Sequence, residues 1–197
     1  IINEPWEQDI FDFYERSRDR YRNVSDIGAN VGAHAILMDL LGWRVRAYEP
    51  DPEHVATLMQ NIRLNRAGVD VYNAAVSTRN GHAQFVRVPR NTTENHLDAS
   101  GALTVRLIDC REVFAWSDLV KIDCEGHEAA LLLTTTRETW DGMDAIVEIG
   151  GEENARAIFS HMRALGVPIR CAGQLVSDFD CMPQCCRDGS AFIGHGF

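Results

Sequence analysis

Residues 23–49 read NVSDIGANVGAHAILMDLLGWRVRAYE, and this stretch decides the fold. Its apolar segments predict a strand over 23–27, a turn with glycines at 28 and 32, a helix from Ala33 to Leu41 that ends at Gly42, and a second strand from Arg44 to Tyr48. A strand, a helix and a further strand in this order are typical of a parallel βαβ unit.

The same alternation continues along the chain. Helices are predicted over 6–22, from Glu53 to about Arg66 with Pro52 in the first turn, from near His127, and over 152–165. Strands are predicted over 69–76, 82–88, 102–108, 118–123, 143–149, 167–171 and 191–195, with a polar loop at 89–101. This pattern predicts one α/β domain over 1–197: a helical segment at 1–22, a core at 23–150, and a helix with strands at 151–197.

Composition excludes several classes of protein. The chain has 197 residues, of which 45% are hydrophobic and 24% are charged, as in an ordinary globular protein. The net charge of −10 argues against a nucleic-acid partner, which basic patches would bind. No apolar run of about 18 residues is present, so we expect no membrane span. No secretory signal is visible either, and we therefore expect a cytoplasmic protein.

Six cysteines stand at positions 110, 124, 171, 181, 185 and 186. Cys181, Cys185 and Cys186 are candidate zinc ligands together with His195, but no second Cys-x2-Cys pair completes a set of four. We therefore predict reduced thiols and no metal site.

Three acidic residues fall where predicted strands end: Asp26, Glu49 and Asp123. In parallel sheets, ligands bind outside the carboxyl ends of the strands. The turn at Gly28 and Gly32 lets the backbone approach a ligand closely, and the helix that follows offers unpaired N–H groups. Glu49 lies 17 residues beyond Gly32, where a carboxylate typically accepts both hydroxyls of an adenosine ribose.

Two cofactors fit this plan, a dinucleotide and S-adenosylmethionine. A G-x-G-x-x-G fingerprint that starts at Gly28 would need glycines where Asn30 and Ala33 stand, and the chain contains no P-loop motif. Asp26 would repel a pyrophosphate but suits the ammonium end of a methionine moiety. We therefore favour S-adenosylmethionine over a dinucleotide.

Four segments together resemble the FkbM family of S-adenosylmethionine-dependent methyltransferases. They are DIGANVGAHA (26–35), YEPDPEHVATLMQNIRLN (48–65), NAAVS (73–77) and VKIDCEGHEAALL (120–132), of which the K-I-D-x-E-G-x-E part is the most specific. The resemblance covers about residues 24–150. It implies a class I methyltransferase fold, Rossmann-like and doubly wound, whose mostly parallel seven-stranded sheet has one antiparallel strand. It also implies O-methylation of a hydroxyl on a small-molecule or glycan acceptor, commonly a sugar or a polyketide-type natural product.

The resemblance also assigns the cofactor site. The methionine part of the cofactor would be lined by Asp26, Gly28, Ala29, Asn30 and Gly32, the ribose held by Glu49, and the adenine flanked by Pro50, Asp51 and the segment 73–76 with Ala75. One departure is that family members often carry a Glu-x-His pattern at the fifth strand, where this chain reads Glu-Ile-Gly-Gly at 148–151.

Candidate catalytic residues lie after the predicted strand 118–123. An alcohol needs a base to become a good nucleophile, and Asp123, Glu125 and His127 are the candidates in this turn. Glu128 is expected to complement the dipole of the following helix, and Lys121 to pair with an acidic neighbour. The polar stretch 90–96 is expected to cover the acceptor pocket.

The sequence thus predicts an enzyme, an S-adenosylmethionine-dependent O-methyltransferase that modifies a sugar or natural-product hydroxyl. An RNA ribose methyltransferase is the first alternative, and the net charge argues against it. The second is a non-catalytic protein that binds S-adenosylmethionine and serves as a partner or regulator.

Overall fold

The computed structural model describes residues 5–88, 95–184 and 189–197. The helices are α1 (Pro5–Arg16), α2 (Ala33–Leu40), α3 (Pro52–Asn65), α4 (Cys110–Trp116), α5 (Glu128–Leu132) and α6 (Glu152–Leu165). The strands are β1 (Asn23–Ile27), β2 (Arg44–Tyr48), β3 (Asp70–Tyr72), β4 (Ala75–Ser77), β5 (Gly81–Val86), β6 (His96–Leu97), β7 (Leu103–Asp109), β8 (Leu119–Ile122), β9 (Asp144–Ile149), β10 (Ile169–Cys171), β11 (Gln174–Leu175) and β12 (Gly189–Ile193).

The main sheet has the order β11-β10-β12-β9-β8-β1-β2-β3. Strands β9, β8, β1, β2 and β3 are parallel neighbours, and β12 runs antiparallel between β9 and β10. The predicted mostly parallel α/β fold is confirmed. In the described residues the main sheet has eight strands instead of the predicted seven, because the two-residue strand β11 adds an antiparallel edge beside β10.

A second sheet, with the order β4-β7-β5-β6, corrects the strand predicted over 69–76. That segment forms two strands in different sheets, β3 and β4. The break occurs at Asn73, whose side-chain amide donates to the carbonyls of Glu49 and Pro50 at 3.0 and 2.9 Å. The N–H of Ala74 then donates to the carbonyl of Tyr72, which turns the chain out of the main sheet.

Other boundaries also differ from prediction. Helix α1 ends at Arg16 instead of residue 22, and helix α4 was not predicted. Asp109 begins α4 by accepting the backbone N–H of Arg111 at 3.0 Å. The predicted polar loop at 89–101 contains β6, while its residues 89–94 lie outside the described residues.

Two hydrophobic clusters cover the two faces of the main sheet. Val24 of β1 belongs to the cluster that includes residues of α1, α2 and α3, whereas Ile27 belongs to the cluster that includes residues of α4, α5 and α6. The Tyr14 hydroxyl lies 3.1 Å from Nδ1 of His34, which ties α1 to α2. Within the described residues, no helix is both long and apolar enough to cross a membrane.

Candidate functional site

A cavity opens at the carboxyl edge of the main sheet, where β1, β2 and β8 end, and the second sheet forms part of its wall. We call it the main cavity. Its lining consists of Ile27, Gly28, Asn30, Tyr48, Glu49, Pro50, His54, Ala75, Val76, Phe85, Asn95, His96, Leu97, Asp123, Cys124, Glu125 and His127. Polar groups therefore come from the strand ends, and Phe85 and Leu97 add apolar surface from β5 and β6.

Gly28 brings two strand ends together at the centre of this cavity. Its φ is +81°, and a Cβ at this position would lie 1.7 Å from the backbone oxygen of Asp123. Its N–H donates to the Tyr48 carbonyl at 2.9 Å. Only glycine permits this conformation and this approach without strain. The turn after β1 thus contacts the ends of both β2 and β8.

Glu49 is a buried carboxylate that is already held in place by backbone donors. Its Oε2 accepts the N–H of Asn30 and its Oε1 accepts the N–H of Asp51, each at 2.9 Å. Burial raises the pKa of Glu49, although these two hydrogen bonds and the nearby His54 oppose the rise. A carboxylate has about four acceptor positions, so two remain beyond the backbone contacts. That capacity fits the diol of a ribose.

Asp51 lies beside the cavity and does not line it. One carboxylate oxygen caps α3 by accepting the Glu53 N–H at 2.9 Å and also binds the Arg87 guanidinium. The other accepts from the Asn95 side chain at 3.3 Å. Arg87 follows β5 and Asn95 precedes β6, so Asp51 ties the second sheet to the end of β2.

Asp26 and Lys121 form a buried pair of charges under the turn. They are paired residues on the neighbouring strands β1 and β8, and their relative exposures are 1% and 4%. Among the described residues, no donor reaches either carboxylate oxygen of Asp26 with full hydrogen-bond geometry, although the Ala35 N–H is near enough to lower its pKa. Burial raises the pKa of Asp26 to about 6 against the opposing charge of Lys121. The Lys121 ammonium donates to Oδ2 of Asp123 at 2.9 Å.

The turn after β8 is held by a side chain that points inward. Glu125 and Gly126 both have positive φ, at 52° and 94°. Oε1 of the buried Glu128 accepts the N–H groups of Cys124 and Gly126 at 3.0 Å each. Asn154 of α6 donates to the Gly150 carbonyl at 3.0 Å and to that of Gly126 at 3.3 Å. Glu128 therefore shapes the turn, beyond the dipole role that we expected from its position in α5.

His127 lines the main cavity at the start of α5. Its Nε2 lies 3.3 Å from the Ser77 hydroxyl, at the end of β4. Burial lowers the pKa of His127 below its usual value of 6.5. The imidazole is therefore neutral near pH 7 and is able to accept a proton.

A second cavity adjoins the first, and Asp123 and Glu125 line both. We call it the acidic cavity. Its lining consists of Asp123, Glu125, Gly126, Glu128, Glu148, Ile149, Gly150 and Gly189. Among the described residues, no Lys or Arg lines it. Four carboxylates therefore surround this space.

The structure brings most of the predicted site residues together. Eight line the main cavity: Gly28, Asn30, Glu49, Pro50, Ala75, Asp123, Glu125 and His127. Four predicted cofactor residues do not line it: Asp26, Ala29, Gly32 and Asp51. Gly32 instead allows close packing, since a Cβ there would lie 2.1 Å from Cδ1 of Leu58 in α3. Cofactor contacts by these four remain predictions.

Several lining residues were not identified from the sequence, among them Phe85, Leu97 and Cys124. The alternation of polar and apolar residues in β5 predicted a strand, but it did not indicate that this strand forms part of the wall of the main cavity. The polar stretch 90–96 was expected at an acceptor pocket. Its Asn95 and His96 do line the main cavity, and 90–94 lie outside the described residues.

The cysteine cluster near the carboxyl terminus is only partly described. Cys181 is an exposed free thiol, while Cys185 and Cys186 lie outside the described residues. Within the part of the chain that the structure describes, no group of three His, Cys, Asp or Glu residues could hold a metal ion.

Comparison with solved structures defines the class of fold. The ribosomal protein L11 methylase of Lactobacillus delbrueckii subsp. bulgaricus aligns over 98% of this chain and 79% of its own, with a TM-score of 0.52 and 14% identity. An rRNA methylase of Streptococcus thermophilus aligns over 98% and 96%, with a TM-score of 0.51 and 8% identity. The fold is therefore the α/β fold of class I, Rossmann-like methyltransferases.

Sequence comparison gives a particular relative. The chain is 26% identical over 149 residues to the hexuronic acid methyltransferase AglP of Haloferax volcanii. The aligned part covers 73% of this chain and 62% of that protein, so the chain spans about three fifths of the relative's length. No family model matches the chain. These methyltransferase similarities imply S-adenosylmethionine as the cofactor.

Proposed function

We propose that the protein is an S-adenosylmethionine-dependent O-methyltransferase of the FkbM type, which methylates a hydroxyl of a sugar or a similar natural product. One observation carries the proposal: Glu49 and Asp123, from the ends of two different strands, line a single cavity around the Gly28 turn. This is the arrangement that a nucleoside-bearing cofactor needs at the carboxyl edge of a parallel sheet.

The residues of the main cavity fit this cofactor from end to end. The two remaining acceptor positions of Glu49 suit the ribose hydroxyls, and the apolar wall of Ala75, Phe85 and Leu97 suits the adenine ring. Asp26 and Asp123 supply negative charge near Gly28, where the positively charged methionine end would lie. When bound, the cofactor supplies a methyl group activated by its sulfonium.

The acidic cavity supports the position of the acceptor. Asp123 and Glu125 line both cavities, so a hydroxyl held in one is adjacent to a methyl donor held in the other. Such an in-line transfer depends mainly on holding the two reactants at contact distance. A base adds to this by taking the hydroxyl proton, and Asp123, Glu125 and His127 are the candidates.

The charge of the acidic cavity favours a neutral acceptor over an anionic one. The relative's name supports a sugar, but a hexuronate would bring a fifth carboxylate to a space that already holds four. Like charges placed together cost several kcal/mol. Carboxylates are, in contrast, good acceptors for sugar hydroxyls. We therefore propose a neutral glycoside or polyol as the acceptor in preference to a free uronate.

The test begins with calorimetric titration of S-adenosylhomocysteine into the purified protein. Binding should be micromolar, and absence of binding would overturn the cofactor assignment. Transfer of labelled methyl from S-adenosylmethionine would then be measured on three panels: neutral glycosides, the matching uronates, and RNA. We expect product on a neutral glycoside. Labelling of RNA alone would favour the ribose methyltransferase alternative, and labelling of uronates alone would refute the charge argument.

A further inference from the structure

Lys121 is the only lysine among the 19 basic residues of the chain, and all the others are arginines. It is also deeply buried, in the middle of the main sheet on β8. Its ammonium donates to Oδ2 of Asp123 at 2.9 Å, and its side chain is 5% exposed while that of Asp123 is 30% exposed. The contact thus joins the interior of the protein to a residue that lines both cavities.

Three acidic residues and one histidine surround this ammonium. Asp26 is its paired neighbour on β1, Asp123 follows it on β8, and Glu148 on β9 also stabilises its charge. His34 of α2 lies close enough for the Lys121 charge to lower its pKa, which burial and this charge together bring to about 3. The cation therefore stands among three acids and a neutral imidazole.

We propose that Lys121 is a positioning residue for the reaction: its ammonium fixes the Asp123 carboxylate at the junction of the two cavities and places a positive charge next to the buried Asp26. Because the Lys121 ammonium donates to Oδ2 of Asp123, the Oδ1 atom is left to accept a hydrogen bond from a cofactor or an acceptor molecule in the cavities. This inference rests on the proposed function and assigns a role to a residue outside the candidate catalytic set.

The charges indicate that the ion pair of Lys121 and Asp123 contributes more to the arrangement of the site than to the stability of the fold. A buried ion pair loses most of its Coulombic gain to desolvation, and apolar residues of similar size often replace one without loss. The pKa of Lys121 is nevertheless raised, because three carboxylates together outweigh the effect of burial. The Lys121 charge in turn opposes the rise in the pKa of Asp26, which stands at about 6. Without this cation, the pKa of Asp26 would be higher.

The first test measures how S-adenosylhomocysteine binding depends on pH in the wild type, Lys121→Met and Lys121→Arg. The negative charge of Asp26 beneath the Gly28 turn favours the ammonium end of this ligand, so wild-type affinity should fall below about pH 6. In Lys121→Met the midpoint should rise by about one pH unit or more, which weakens binding about twofold or more near pH 7 and restores it at higher pH. Lys121→Arg keeps the charge and should keep the wild-type midpoint.

The matched control is Arg46→Met on the neighbouring strand β2. It also removes a cation, one that stacks on the Trp116 ring with its guanidinium carbon 3.9 Å from the ring centre. Its pH profile should coincide with that of the wild type. If Lys121→Met binds with an unchanged profile, the inference is refuted while the proposed function stands. Absence of binding by the wild type would overturn both.

A second measurement needs no substitution and decides the question even if Lys121→Met does not fold. Because the chain has a single lysine, protein labelled with ¹⁵N-lysine gives one side-chain ammonium signal in an NMR spectrum. S-adenosylhomocysteine should shift this signal, and S-adenosylmethionine, with its sulfonium charge, should shift it further. A signal that moves with neither ligand, under conditions where calorimetry shows binding, would refute the positioning role.

Discussion

Replacement of Glu49 by glutamine tests the ribose assignment with the smallest possible change in shape. The substitution keeps one oxygen and exchanges the other for an NH₂ group. In the wild type each oxygen accepts one backbone N–H, from Asn30 and from Asp51, at 2.9 Å. The new NH₂ must therefore face one of these two donors, since a primary amide cannot accept on both sides.

The magnitude follows from these contacts. A hydrogen bond to a charged group contributes about 1.5–3 kcal/mol, and Glu49→Gln removes the charge together with one of the two positions left for the ribose diol. Affinity for S-adenosylhomocysteine should therefore fall about 10- to 150-fold. The unpaired backbone N–H should also lower the free energy of unfolding by about 1–3 kcal/mol.

Calorimetry gives the affinity, and urea unfolding gives the stability of the same samples. Glu112→Gln is the control, because Glu112 is an exposed residue of α4 that contacts only the Asn80 side chain among the described hydrogen bonds. Its affinity should equal that of the wild type. If folded Glu49→Gln binds within about twofold of the wild type, Glu49 does not hold the ribose and the reasoning from its geometry is wrong.

Three further predictions follow from the same site. Asp26→Asn should raise the free energy of unfolding at pH 7 by up to about 3 kcal/mol while weakening cofactor binding, since the raised pKa marks a buried charge that costs stability above pH 6. Thermal unfolding should show that this gain in stability disappears near pH 4. A gain that does not change with pH would show that the buried charge of Asp26 is not its cause. Gly28→Ala should lower the free energy of unfolding in urea by about 2–5 kcal/mol, because the new Cβ would collide with the Asp123 carbonyl at a positive φ. It should also abolish cofactor binding. Normal binding would refute the packing argument. His127→Gln should lower the transfer rate about 10²- to 10⁴-fold with little change in cofactor affinity. Its lowered pKa predicts a wild-type rate that is level through neutral pH and falls in acid, so a step above pH 7 would exclude His127 as the base.

The parts of the site that could be predicted from sequence are those set by short-range pattern. Asp26, Glu49 and Asp123 each lie at or next to the end of a predicted strand, and a parallel sheet places such strand ends at one edge. The structure places Glu49 and Asp123 in the wall of the main cavity, whereas Asp26 is buried within β1 and does not line it. The tight turn at Gly28 could also be predicted from the sequence, because the backbone of Asp123 lies too close to this position for any side chain.

The parts that could not be predicted depend on contacts between distant segments. Residues 69–76 look like one strand until the side chain of Asn73 binds the carbonyls at the end of β2, 23 and 24 residues away. The wall formed by Phe85 and Leu97 exists only because β5 and β6 pair in a second sheet. Asp51 illustrates the same limit. The adenine contact expected from its position remains a prediction, and the ion pair of its carboxylate with Arg87 could not be foreseen, because no local pattern connects the two residues.

The carboxylates of the site differ in what they contact, and this difference bears on the choice of acceptor. Asp51 and Glu128 accept backbone N–H groups and hold loops in place, so they act as structural anchors. Asp123 and Glu125 line both cavities, and Lys121 is a buried cation that is already bound to Asp123. A negative surface of this kind attracts a positively charged donor and repels an anionic acceptor. The similarity to a hexuronic acid methyltransferase therefore supports the sugar part of the proposal, whereas the charge of the acceptor is better inferred from this chain's own residues.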